Sequence, residues 1–315
     1  MSTPTTAKSN ATGPWKKLGL LFCPKNESYS MQSYCSMPII HRKEGSLYRL
    51  FFSSRNAGQH SSVHFLEFDI NVPLEIKRLQ TEPVLSKGNL GHFDDNGVYP
   101  GTIIKKDQKL YMFYSGRSNG MEDLFYMNIG LAVSEDGGSS FSRVQQAPII
   151  TRSEFDPWLV TAPSAFKNGE KWLMVYTSGT EIYKDRTSSY DLKIASSDDF
   201  FNWKQTGKTA IPLQDHEANL STATVLELNG AYHLWFSVKP KTSEYRIGYA
   251  RSPNGLEWER DDDRLGLTTS KTGFDSDALS YPNVFIHGSH LYMVYSGNQN
   301  GKGGCGLARL SIENL

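Results

Sequence analysis

A motif that returns five times constrains this chain more than any other feature of its 315 residues. Its fullest copy is Phe274-Asp275-Ser276-Asp277-Ala278-Leu279-Ser280-Tyr281-Pro282-Asn283-Val284-Phe285, a Gly288 turn, and Leu291-Tyr292-Met293-Val294-Tyr295-Ser296-Gly297-Asn298. It reads as an acidic loop, an apolar strand opened by proline, a tight turn, and a second strand ending Tyr-Ser-Gly. Phe93-Asp94-Asp95 through Tyr99-Pro100 to Tyr114-Ser115-Gly116-Arg117 repeats the design, as does Phe155-Asp156-Pro157 through Ala162-Pro163 to Tyr176-Thr177-Ser178-Gly179. Weaker copies run from Met37-Pro38 to Phe52-Ser53 and from Ala223-Thr224 to Phe236-Ser237. Five copies at a period of roughly 50–60 residues fall in the range of propeller blades, where a single repeat cannot bury its apolar face alone.

The second half of each copy agrees. Ile129-Gly130-Leu131-Ala132-Val133-Ser134, Leu192-Lys193-Ile194-Ala195-Ser196, Ile247-Gly248-Tyr249-Ala250-Arg251-Ser252 and Cys305-Gly306-Leu307-Ala308-Arg309 are one strand repeated, with Val63-His64-Phe65-Leu66-Glu67 its degenerate form. Tight turns follow. Ser134-Glu135-Asp136-Gly137-Gly138-Ser139-Ser140-Phe141 fits the pattern called an Asp box, and Ser252-Pro253-Asn254-Gly255-Leu256-Glu257-Trp258 is a near relative. Asp-Gly and Asn-Gly favour hairpins because these residues tolerate positive φ.

A fourth strand then starts on an aromatic or aliphatic residue: Phe141 running to Ile150, Trp203 to Leu213, Ile76 to Leu85. Nothing like it follows the fifth copy. The missing piece stands at the other end, where Trp15-Lys16-Lys17 leads to Leu20-Leu21-Phe22-Cys23-Pro24. The expected fold is therefore all-β, a five-bladed β-propeller of four-stranded antiparallel blades. An N-terminal strand at about residues 15–24 completes blade five and removes an open sheet edge. Residues 14–315 form the single propeller domain, and 1–13, rich in Ser, Thr and Ala, read as a flexible tail.

Lys+Arg and Asp+Glu are 33 each, so no global charge points to nucleic acid or to a membrane surface. No apolar run approaches the ~20 residues that span a bilayer, and the N-terminus lacks a secretory pattern. Cys23, Cys35 and Cys305 are an odd count without zinc spacing, which favours a reducing cytoplasm, with one bridge possible between Cys23 and Cys305 of the fifth blade. The expected protein is soluble and cytoplasmic. There is no Gly-rich phosphate loop, His-Glu-x-x-His or Gly-x-Ser-x-Gly elbow. No cofactor is expected. His92 and His216 are candidates for an axial cation, although a lone histidine is more often simply hydrogen-bonded.

In a propeller the loops leading into the first strands and the turns after the second strands crowd one mouth of the axis. The lead-in loops carry Asp94, Asp95, Asp156, Asp215, Glu217, Asp275 and Asp277. Paired carboxylates, one protonated and one ionised, are the machinery of glycoside hydrolysis. The bland alternative is that they cap turns. Because Phe-Asp recurs in three blades, recurrence argues for structure there, and Asp95, Glu217 and Asp277 are the stronger catalytic candidates beside Asp156. The turns place Arg55, Arg117 and Lys239 at equivalent positions, suited to a carboxylate or phosphate unless they merely pair with neighbouring acids. Lys184, Arg186 and His60 could extend that patch. Tyr34, Tyr99, Trp158 and Tyr281 could stack on sugar faces, and His216 is a further binding candidate.

The proline-opened strand, the Leu-Tyr-Met-Val-Tyr-Ser-Gly strand, the Ala-x-Ser strand and the Asn-Gly-x-x-Trp turn together resemble the five-bladed propeller glycosidases, the arabinanase, xylosidase and fructosidase superfamily. The likeness covers about residues 15–310. It implies glycoside hydrolysis or glycosyl transfer by Asp and Glu side chains around the axis, on a small-molecule or oligosaccharide substrate, with an anionic sugar suited by the basic residues. In arabinanase-like members an Asp stands directly before the strand-opening proline of the first and third blades; here those places hold Met37 and Ala162. The acid Glu of the fourth blade is likewise replaced by Ser221-Thr222, with Glu217 the nearest carboxylate. The alternative to an enzyme is a non-catalytic glycan-binding or polysaccharide-assembly module, or a transferase of sugars or sugar phosphates on the same scaffold.

Overall fold

The computed structural model describes residues 14–121, 125–184 and 187–315. Arg186 and the proposed tail 1–13 lie outside the described residues. The chain is all-β, of propeller type, and its strands follow one another in antiparallel sets of four. The first set is β2 Ser33–Glu44, β3 Leu47–Arg55, β4 Ser61–Asp69 and β5 Ile76–Leu85; the second is β6 Gly97–Lys106, β7 Lys109–Asn119, β8 Phe125–Ser134 and β9 Ser142–Arg143. The third is β10 Leu159–Asn168, β11 Lys171–Ile182, β12 Ser188–Ser197 and β13 Lys204–Ile211; the fourth is β14 Glu217–Leu228, β15 Ala231–Pro240, β16 Arg246–Ser252 and β17 Glu259–Arg260. The last set is β18 Ser280–His287, β19 His290–Ser296 and β20 Cys305–Ser311, with β1, Lys16–Phe22, on the far side of β20.

Single parallel bridges, Ser61 to Gly97 and Tyr190 to Asn219, join the first set to the second and the third to the fourth. β2 lies against β6, β6 against β10, β10 against β14, β14 against β18, and β18 against β2. Helix is confined to single turns such as Asp262–Leu265 and Asn298–Gly301.

Both faces of the inner strands are buried because each sheet is covered by a neighbour on either side. Along β3, Leu50 and Phe52 pack with Leu307 and Val294 of the last set, whereas Phe51 between them packs with Met112 and Tyr114 of the second. Alternate side chains of a strand point to opposite faces, so two-sided burial produces the near-continuous apolar runs seen in the repeat.

Two fourth strands differ from expectation. β9 and β17 are only two residues long, and Ile150 and Leu267 return as isolated bridges to Ile129 and Ile247. The ladder expected from Phe141 to Ile150 is left after Arg143 and rejoined at Ile150. The cysteine pairing also differs: the bridge joins Cys35 of β2 to Cys305 of β20, Cα atoms 5.5 Å apart, and Cys23 is free. No helix among the described residues is long and apolar enough to cross a membrane.

Candidate functional site

The site is built by a defect repeated in the first strand of every set. Pairing with the second strand slips between Ser36 and Ile39, Pro100 and Thr102, Thr161 and Ser164, Ser221 and Ala223, and Ser280 and Asn283. At four of these bulges a non-glycine residue takes a left-handed backbone: Met37 at φ 50°, Ala162 at 51°, Thr222 at 41° and Tyr281 at 57°. Such conformations cost on the order of 1–3 kcal/mol each and persist only where the surroundings impose them.

Here the surroundings are the hydroxyls that end each second strand, the Ser of Tyr-Ser. Each reaches the bulge of the following set. Ser53 donates to the Val98 carbonyl at 3.0 Å, and Ser115 accepts from the Ala162 N–H at 2.8 Å. Thr177 accepts from the Thr222 N–H at 3.1 Å, Ser237 from the Tyr281 N–H at 2.8 Å, and Ser296 donates to the Cys35 carbonyl at 2.9 Å. The bulges re-aim Met37, Tyr99, Ala162, Thr222 and Tyr281 into one cavity of about 330 Å³ lined by all five sets.

Met37, Ala162 and Thr222 also line a second space of about 10 Å³ directly below, bounded by Pro38, Pro100, Pro163 and Pro282. That is room for a single water at most, and because Met37, Ala162 and Thr222 line both spaces they stand between them as the cavity's floor. Exposure grades upward from Met37 and Ala162, at 7% and 3%, to half-buried Arg55 and Arg117 and exposed Asn300 at the rim.

The walls carry donors. Arg55 stacks on Tyr34 with its guanidinium carbon 4.3 Å from the ring centre, and Arg117 on Phe125 at 5.2 Å. Neither has a carboxylate within ion-pair distance among the described residues, and the Nε of each is buried without a partner. The hydroxyls of Tyr99, Tyr245 and Tyr281 make no hydrogen bond among the described residues. Burial, and then the neighbouring Tyr99, pushes the Tyr281 phenol far above its ordinary range, so it stands protonated as a donor. Burial does the same for Tyr245 and Tyr190. No Asp or Glu among the described residues lines the cavity.

Of the residues expected from sequence, the structure brings together Arg55, Tyr99, Arg117 and Tyr281. Trp158 stands behind that wall, stacked on Tyr190 at 5.4 Å and donating to the Phe125 carbonyl. Lys239 is drawn to Glu244 at 3.7 Å, its ammonium over the ring of Tyr245. His216 is exposed outside the cavity.

The four carboxylates expected to be catalytic are placed elsewhere. Asp156 is fully buried, accepting from Tyr176 at 3.1 Å, Ser153 at 2.8 Å and Gln205 at 2.6 Å, with Lys193 at 3.7 Å. Glu217 is equally committed, holding the Arg260 guanidinium through both oxygens and accepting the Gln214 N–H. Asp95 accepts the Gly91 N–H in a surface turn, and exposed Asp277 accepts from Ser276. These are the turn-capping and latching roles weighed against catalysis at the outset, and none of the four reaches the cavity wall.

Met37, Ala162, Thr222, Tyr190, Tyr245, Phe125 and Asn300 were not candidates from sequence. For the first three a signal existed: each is the residue directly before the first strand's Pro or its equivalent, Ala223.

The relatives of this all-β chain, whose axial cavity holds two arginines without an acid partner among the described residues, support a carbohydrate-active, glycosidase-like protein. Residues 79–227 match the Glycosyl hydrolases family 32 N-terminal domain. An uncharacterized protein of Mycobacterium tuberculosis is 31% identical over 94% of this chain and 99% of its own length. The β-1,2-mannobiose phosphorylase of Thermoanaerobacter is 27% identical over 52% of this chain and 55% of its own. Among solved structures, a Listeria innocua β-1,2-mannobiose phosphorylase superposes with TM-score 0.72 at 11% identity, covering 95% of this chain and 96% of that one. The chain is thus a full-length relative of the mycobacterial protein, resembles the family 32 domain over residues 79–227, and shares its fold with the propeller glycosidases and phosphorylases.

Proposed function

We propose that this protein binds a saccharide carrying a phosphate or carboxylate, at the mouth of a five-bladed propeller closed by β1. The observation that carries the reading is a small cavity whose charged lining residues, among those described, are Arg55 and Arg117 alone. Two guanidiniums with no acid partner among the described residues, beside phenols that can donate as well as accept, suit a ligand rich in acceptors and negatively charged. Ring faces of Tyr99, Tyr190 and Tyr281 supply the apolar surface on which sugars stack. At about 330 Å³ the cavity is at the small end for ligand sites and fits one or two sugar rings, so polymer would have to offer a terminus.

The places at which the resemblance puts catalytic carboxylates hold Met37, Ala162 and Ser221-Thr222, so the axis itself offers no acid and base pair. Binding without cleavage is therefore the function preferred. The Cys35–Cys305 bridge weighs against the reducing cytoplasm suggested by the cysteine count.

Calorimetry with glucose 6-phosphate, glucuronate and glucose tests this. Both acids should bind and glucose should not, and Arg55→Ala or Arg117→Ala should weaken the acids by roughly 10-fold or more, the range of a lost charged hydrogen bond. Equal affinity for glucose and glucose 6-phosphate would end the reading. The family match favours hydrolysis as the second reading, with carboxylates supplied by the outer loops. It requires turnover of a glycoside that falls in Asp95→Asn or Asp277→Asn with the fold intact.

A further inference from the structure

We propose that the ligand's buried end is a methyl group, that is, that the anionic saccharide is a deoxy or acetamido sugar seated methyl-first. The inference rests on the reading of the cavity as an anionic-saccharide site and adds the direction in which the ligand enters.

It is carried by the division of polarity with depth. The floor, shared with the one-water space beneath, is Met37, Ala162 and Thr222. Met37, Tyr99 and Ala162 form a separate apolar cluster on the axis, against which Met127 and Tyr281 pack. A sugar hydroxyl pressed on Met37 or Ala162 would lose its water among hydroxyls already engaged, Ser221 with Thr222 at 3.2 Å, Thr161 with Ser115 at 2.9 Å and Thr177 with the Thr222 N–H at 3.1 Å. Leaving a hydroxyl unpaired costs more than burying a methyl gains, so the two effects act in the same direction. Arg55 and Arg117 are half-buried and more exposed than Met37 and Ala162, which sets the anion nearer the mouth. A ligand satisfying both ends carries its charge and its methyl on opposite sides of the ring.

The experiment measures four affinities by calorimetry on the wild-type chain. Glucose 1-phosphate is compared with 6-deoxyglucose 1-phosphate, and glucose 6-phosphate with N-acetylglucosamine 6-phosphate. A methyl-bearing member that binds about 10-fold or more tighter than its partner supports the proposal, and the pair in which this occurs says whether the methyl is that of a deoxy carbon or an acetamido group. Met37→Gln, close to isosteric but polar, should then erase the preference. Affinities within twofold in both pairs overturn the methyl-first proposal and leave the anionic-saccharide reading standing. If none of the four binds, that reading fails and this one with it.

Discussion

Asp94, Asp156 and Asp275 each stand twenty residues before a tyrosine, Tyr114, Tyr176 and Tyr295, whose hydroxyl they accept at 3.0–3.1 Å. Each is also bonded by the residue two places after the aromatic that opens the outermost strand: Arg143 after Phe141, Gln205 after Trp203, Lys17 after Trp15. Arg260 after Trp258 does the same for Glu217. The acids of the lead-in loops are thus latches tying the loop to the second and fourth strands. Asp156→Ala should cost about 3–5 kcal/mol in urea denaturation, because Lys193 would remain buried and unpaired. Asp95→Ala and Asp277→Ala should change stability by less than about 0.5 kcal/mol. The recurrence of Phe-Asp makes the first group legible as structural. Glu217 holds Arg260 in the same way, but Phe236 in place of the tyrosine hides the pattern in the sequence. His64 adds a pH dependence. Burial lowers its pKa from 6.5 to about 4, so the unfolded chain takes up the proton first. Stability from this residue is complete above pH 6.5, falls as the pH drops toward 4, and totals about 3 kcal/mol. His64→Leu should flatten the melting temperature over that window.

At the level of the element, β1 is the strand most exposed to test. It supplies Leu21 and Phe22 to the core shared with the first set, and Trp15 just before it is buried edge-on against Trp235 while donating to the Leu265 carbonyl at 2.9 Å. Trp15→Ala should cost about 3–5 kcal/mol. Removing residues 14–24 leaves β20 as an open edge with an unpaired ladder and should abolish cooperative thermal unfolding; an unchanged transition would show that ring closure does not depend on it. The aromatic-base-base start at residue 15 is readable because it copies an opening that other sets use. The shortness of β9 and β17 is not, because pairing there depends on how the chain between Arg143 and Ile150 crosses its neighbour.

Across the whole molecule, the five hydroxyl contacts run from each set to the next and return from Ser296 to Cys35, beside the bridge between Cys35 and Cys305. With 270 residues between its ends, the bridge constrains nearly the whole unfolded chain, so Cys305→Ser should cost on the order of 4 kcal/mol and loosen the floor at Met37. Period, strand order and two-sided burial follow from the sequence by itself, since apolar alternation and turn chemistry act over a few residues and repetition multiplies their signal. So does the ring of hydroxyls, whose Ser and Thr appear at the same place in every copy. Arg55, Tyr99, Arg117 and Tyr281 were legible as neighbours from the repeat, whereas the share of Phe125, Tyr190 and Tyr245 in the cavity was decided by tertiary structure. At four of the bulges the residue turned toward the centre takes a left-handed backbone held by contacts with hydroxyls of another set, and in Met37, Ala162 and Thr222 only the place before the strand-opening proline or its equivalent announces it. The buried acids near in sequence to that centre are held by side chains of the outermost strands, Lys17, Arg143, Gln205 and Arg260, leaving the cavity to arginine and tyrosine.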